Sequence, residues 1–180
     1  MGAGLGNECY LTGYARDIII NSDLVIATKR IYEKLCVLNK NTVCKDISEI
    51  AGFVSETGYE KVCILASGDI GFYSISNLLK DKIDCETEFV SGISSLQYLT
   101  AKLFTPYDDV KVVSVHGREK SAVPFVCYHK KVFVLTGGKY KADDVIKTLN
   151  SCGLSDVLVT VGENLSDDNE RIVTDIAKNL

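Results

Sequence analysis

"KVCILASGDIGFYSISNLL", residues 61–79, decides how the chain is read. An apolar run from Val62 to Ala66 stops at Gly68 and Asp69, and helix-like spacing resumes only after Tyr73. A run of that length, ended by glycine and followed by a helical pattern, predicts a buried strand feeding a helix through a tight turn. Outward from it the same alternation recurs. On the N-terminal side, Leu11, Ala15, Ile18 and Ile19 predict an amphipathic helix, Leu24 to Ala27 a short strand, and Ile31 to Leu35 a second helix. Ile47, Ile50, Ala51 and Val54 predict a third, ended near Gly58. On the C-terminal side follow a strand over 85–90 and a helix whose inward side includes Leu96, Leu99 and Leu103. Helices alternating with apolar strands predict an α/β fold with a mostly parallel, covered sheet.

Pro106 in "FTPYDDV" interrupts the helical pattern before a fresh strand at "VKVVSVH", residues 110–116. Beyond it come a strand at "KVFVLT", a helix over 141–152 with Gly153 behind it, a strand at "DVLVTVG", and a last helix or strand over 169–180. Two α/β lobes are therefore expected, 1–105 and 106–180, sharing an interface.

Composition narrows the function. The 180 residues carry a net charge of -4, which offers nucleic acid or an anionic membrane no long-range attraction. No run approaches the length of a membrane span, and no charged-then-apolar leader opens the chain, so a cytoplasmic protein is expected. The 7 cysteines include no C-x-x-C pair and no histidines at zinc spacing; they read as reduced, mostly buried residues, with no metal site.

Small residues gather at four expected strand ends: "GAGLG" (2–6), "SGDIGF" (67–72), "SGISS" (91–95) and "LTGG" (135–138). Each alone is an ordinary turn, since glycine is the default turn residue; together they suggest one composite pocket outside the carboxyl ends of the strands. The glycines at 2, 4 and 6 miss the G-x-G-x-x-G spacing, and no G-x-x-x-x-G-K-[ST] occurs, so neither a dinucleotide fingerprint nor a P-loop is present.

In order, "GLGNECYLTGYA", "LASGDIGFYSI", "SGISSLQYLTAKL", "VVSVHGR" and "VGENLSDDNERI" resemble the tetrapyrrole methylases of cobalamin synthesis over nearly the whole chain. Within that family they are most similar to enzymes that methylate carbon 5 of cobalt-precorrin-7 or precorrin-6Y. The resemblance implies a class III methyltransferase fold, with S-adenosyl-L-methionine in a cleft between two α/β lobes, and a homodimer. It places Leu5, Gly68, Asp69, Phe72, Ser94, Ser95, Thr136, Gly137 and Gly162 at cofactor-contact positions. It names no catalytic residue. Carbon-15 methylation and decarboxylation would fall to a separate subunit, since nothing here looks like a second methyltransferase domain.

The residues themselves add a substrate side. Corrin precursors carry many carboxylates, and His116, Arg118 and Lys120 of "HGREKS" are the candidate donors, with a solvated loop in which Arg118 pairs with an acid such as Glu163 as the alternative. Asp69 is either a polar anchor of the cofactor loop or a helix cap. Three features depart from the family pattern. The chain starts inside the first glycine loop, so the first strand is expected to be missing or truncated. Ile70 and Ser91 stand where the family has prolines, which leaves two turns freer. A methylase of another tetrapyrrole carbon, or a catalytically silent homologue, stays open beside the carbon-5 enzyme.

Overall fold

Leu24–Ala27, β1, is buried at all four positions, which a strand can be only when both faces of its sheet are covered. In the computed structural model, which describes residues 1–116 and 121–180, β1 is the centre of a parallel sheet with order β2-β1-β3, where β2 is Thr42–Cys44 and β3 is Val62–Leu65. The chain divides into two compact units, Met1–Tyr98 and Leu99–Leu180.

In the first unit the period-2 alternation of β1 sends its residues to two different cores. Val25 and Ala27 pack with Ile19 of α1 (Gly13–Asn21) and with Ile31 and Leu35 of α2 (Lys29–Leu35). Leu24 and Ile26 pack on the other face with Ile50 of α3 (Ile47–Glu56) and Leu79 of α4 (Ser76–Leu79). The crossovers α2 and α3 thus lie on opposite faces, as a doubly wound sheet requires. Asn39, buried in the turn before β2, ties that turn to the end of α1: its Nδ2 donates to Ile19 O and Ser22 O, each at 2.8 Å, and its Oδ1 accepts from Asn41 N at 2.8 Å. Those two carbonyls belong to the C-terminal end of α1, where carbonyl groups lack partners inside the helix.

Met1–Gly4 runs beside the end of β3, where the Met1 amino group donates to Ile64 O at 2.9 Å, and forms isolated bridges just beyond the strand at Gly2↔Ala66 and Gly4↔Gly68. Ala3 N donates to Ala66 O (2.7 Å), Ala66 N to Met1 O (2.8 Å), and Gly2 N to Val90 O (2.8 Å). Three chain segments meet there backbone to backbone. A Cβ on Gly92 would stand 2.5 Å from Gly68 O and 2.6 Å from Gly2 O, and one on Gly2 would stand 2.6 Å from Gly92 N. Only glycine allows this approach.

The second unit holds two small sheets. β4 (Lys111–Ser114) and β5 (Val132–Leu135) pair in parallel, with α6 (Val123–Tyr128) between them in sequence. α7 (Ala142–Ser151) buries Ile146 and Leu149, and β6 (Leu158–Glu163) pairs antiparallel with β7 (Arg171–Ile176). α5 (Ser95–Lys102) runs across the division between the units.

Several expectations need correction. Residues 85–90 form no strand; Val90 O accepts from Gly2 N, and Glu86 to Phe89 are exposed. Of the two forms left open for the last segment, helix or strand, it takes the strand, β7 (Arg171–Ile176). The cysteines are not mostly buried: Cys9, Cys44, Cys85, Cys127 and Cys152 are exposed, and Cys63 alone is buried. Burial pushes the Cys63 thiol up to about 11, so it stays protonated and inert at neutral pH.

Two stability measurements follow. Asn39→Ala removes three hydrogen bonds and leaves buried carbonyls unpaired, and should cost about 2 kcal/mol in urea unfolding; a loss under about 0.5 kcal/mol would contradict the tie. Gly92→Ala should cost about 2 kcal/mol or more, because the atoms in its way are backbone and cannot swing aside. Gly58→Ala, where nothing lies within 4 Å of the new methyl, is its control and should be nearly silent.

Candidate functional site

The loop leaving β3 carries Ser67, Gly68, Asp69 and Phe72, and is held from two sides. Gly68 N donates to Gly4 O at 2.6 Å, and Gly4 N returns a bond to Gly68 O at 3.2 Å. Asp69 then uses both carboxylate oxygens: Oδ1 accepts from Gly71 N (2.8 Å), closing the turn, and Oδ2 accepts from Gly92 N (3.0 Å), reaching into "SGISS". Asp69 is thus a brace between two glycine loops and not a helix cap. Bonds to an ionised acceptor are the stronger kind, which suits a brace between segments 23 residues apart.

The second loop is fixed by its own helix start. Ser94 Oγ accepts from Gln97 N (3.2 Å) while Gln97 Oε1 accepts from Ser94 N (2.8 Å), the reciprocal pattern of a capping box at the head of α5. Ser94 is buried and Ser95 half-buried. Leu5 is buried beneath the first glycine loop. Phe72 is half-buried and stacks edge-on against Tyr73, with ring centroids 5.4 Å apart. The six first-unit positions, Leu5, Gly68, Asp69, Phe72, Ser94 and Ser95, therefore come from three loops bonded to one another at one edge of the sheet.

In the second unit, β4 and β5 run parallel and in register, so the residues after them leave the sheet on the same side. Thr136 and Gly137 follow β5, and His116 follows β4. A Cβ on Gly137 would stand 2.2 Å from His116 Nδ1, so the imidazole fills the space that the glycine leaves. Gly162 sits elsewhere, inside β6 opposite Ile172, where a Cβ would stand 3.0 Å from Leu165 Cδ2. Arg118 and Lys120 lie outside the described residues. Glu163, the acid considered for Arg118, pairs with Arg171 across the β6–β7 ladder at 3.0 Å.

A Cβ built on Gly68 would stand 4.0 Å from Ser94 Cα, in ordinary van der Waals contact, so the two glycine loops lie against each other. No His, Cys, Asp and Glu grouping able to hold a metal ion occurs among the described residues. None of their helices is long and apolar enough to cross a membrane. Sequence reasoning missed Gly2 and Gly92 as the packing partners that set the loop spacing. It also missed Arg30, whose guanidinium donates to Ser67 Oγ beside the Asp69 loop.

Known proteins share both the sequence and the fold. A protein from Methanocaldococcus jannaschii named probable cobalt-precorrin-7 C(5)-methyltransferase is 32% identical over 189 residues, covering 96% of this chain and 85% of that protein. A Sinorhizobium protein named precorrin-6Y C(5,15)-methyltransferase [decarboxylating] is 29% identical over 180 residues, covering 97% of this chain and 42% of its own length. The crystal structure of the cobalamin biosynthesis precorrin-6Y methylase from Archaeoglobus fulgidus matches with a TM-score of 0.74 and 21% identity, over 99% of this chain and 88% of that one. The family model described as Tetrapyrrole (Corrin/Porphyrin) Methylases matches residues 1–180. With that match running from residue 1 to residue 180, and a relative 32% identical over 96% of this chain, the chain belongs to the tetrapyrrole methylases.

Proposed function

We propose that the chain transfers a methyl group from S-adenosyl-L-methionine to carbon 5 of a corrin-ring precursor, cobalt-precorrin-7 or precorrin-6Y. The observation that carries this reading is the pair of hydrogen bonds of Asp69, one closing its own turn at Gly71 and the other reaching Gly92, which supports the GD-x-GFY and GISS motifs acting as one site. The choice of carbon 5 is supported by the name of the Methanocaldococcus relative, similar over almost all of this chain.

A methyl on a sulfonium is electrophilic by itself, so the protein's task is alignment more than acid–base chemistry. Leu5, Gly68, Phe72, Ser94 and Ser95 would contact the cofactor, with Asp69 holding the two loops at the separation it needs. From the second unit, Thr136, Gly137 and Gly162 would complete the cofactor contacts, and His116, Arg118 and Lys120 would meet substrate carboxylates. His116 lies directly against Gly137. A homodimer in the cytoplasm is expected. Carbon-15 methylation with decarboxylation would be done by a separate polypeptide; the Sinorhizobium relative, whose name covers both carbons, is more than twice as long as the part this chain matches.

Calorimetric titration with S-adenosylhomocysteine tests the cofactor half. Binding of the order of micromolar is expected, weakened roughly tenfold or more in Asp69→Ala, since losing a charge-assisted brace is worth more than the 1.4 kcal/mol of one decade. Undiminished binding by the variant would overturn the role of Asp69. The second half is read by incubating the chain with S-adenosylmethionine and cobalt-precorrin-7 and locating the new methyl by NMR. Carbon 5 is the expected position. A methyl at another carbon would favour a different methylase of the family, no turnover by a cofactor-binding chain would favour a silent homologue, and carbon-15 methylation by the pure chain would contradict the separate subunit.

A further inference from the structure

A cavity of about 740 Å³ opens in the first unit outside the carboxyl ends of β1 and β2, apart from the glycine loops assigned above. Its composition is unusual for so acidic a chain. Lys29, Arg30 and Lys82 line it against a single acid, Asp46. All three cations are exposed, and among the described residues none of them makes an ion pair. A surface cation without a counter-ion costs little in water, but three around one concavity in a protein of net charge -4 make a local positive field. Between the cations the wall is apolar: Ile47 and Leu78 are lining residues that stay 39% and 59% exposed. An apolar wall with a cationic rim fits a ligand that is a flat hydrophobic body bearing acids at its edge.

Arg30 gives the cavity its direction. It lines the cavity and also donates to Ser67 Oγ, on the residue before Gly68 and Asp69. One side chain thus joins the cationic rim to the loop that braces the cofactor site. We infer that this cavity is the anchoring subsite for the peripheral carboxylates of the tetrapyrrole, with Lys29 and Lys82 as its charge donors and Arg30 as the link that sets substrate against the cofactor loop. The inference rests on the methyltransferase reading and adds substrate-binding residues in the first unit, independent of His116, Arg118 and Lys120.

The test uses cobyrinic acid, a stable corrin with free carboxylates, and its amidated counterpart cobinamide, titrated spectroscopically into the whole chain. The variants are Lys29→Glu with Lys82→Glu, and Lys29→Ala with Lys82→Ala, all at exposed positions. Cobyrinic acid should bind the wild type more tightly than cobinamide does, and weaken as salt rises. The Glu pair should lose roughly tenfold or more in cobyrinic acid affinity and the Ala pair less, with cobinamide affinity unchanged in both. S-adenosylhomocysteine binding, measured on the same proteins, should not move. Cobyrinic acid affinity unchanged in the Glu pair, or absent from a wild type that binds S-adenosylhomocysteine, overturns the subsite while leaving the cofactor site standing. Loss of S-adenosylhomocysteine binding by the folded wild type sinks the methyltransferase reading instead.

Discussion

Three backbones come within van der Waals contact at Gly2, Gly68 and Gly92, and the carboxylate of Asp69 locks the arrangement by accepting from Gly92 N. The rest of the first unit depends on that constraint. The N-terminal residues reach β3 only because no side chain stands between them and Gly92, and the loop after β3 can lie against "SGISS" only because Gly2 and Gly92 leave it room. The two turns carry Ile70 and Ser91, neither of which fixes the backbone as proline would. The turns keep their shape through hydrogen bonds instead: Asp69 to Gly71, and the reciprocal pair of Ser94 and Gln97.

That economy suits a transfer whose electrophile is carried by the cofactor. What such an enzyme must supply is position, and position is set here by backbone held on backbone, not by long flexible side chains. The doubly covered sheet gives the loops a rigid floor, since β1 is buried on both faces and its neighbours β2 and β3 are pinned to it in register. Arg30 extends the arrangement outward, from the braced loop to a cationic rim of the right sign for an acidic substrate.

Much of this was legible in the residues. β1 and β3 stand out as unbroken apolar runs, and α3 and α7 as periodic segments, because each turns apolar residues toward the core at regular intervals. β2 was missed: three residues, Thr42–Cys44, are too few to show a period, and only the open edge of β1 explains why they pair. α6 was missed for the same reason, although Pro124 in its first turn is a start signal. The expected strand over 85–90 failed because a strand needs a partner, and the pairing available there is confined to the first few residues of the chain. Glycine spacing marked the loops that matter. It could not reveal that Gly2, Gly68 and Gly92 meet, because that contact joins residues far apart in the chain and leaves no local signature. The cysteine reading failed because a thiol's place depends on its element's face, and most of these lie at exposed ends or turns.

The most direct measurement is NMR mapping of backbone amides in the labelled chain as S-adenosylhomocysteine is added. Shifts concentrated at residues 4–6, 68–72 and 91–95, with the Gly71 and Gly92 amides among them, are predicted if the braced loops form the cofactor edge. A saturating titration that leaves those amides unmoved and shifts a different part of the protein would contradict it.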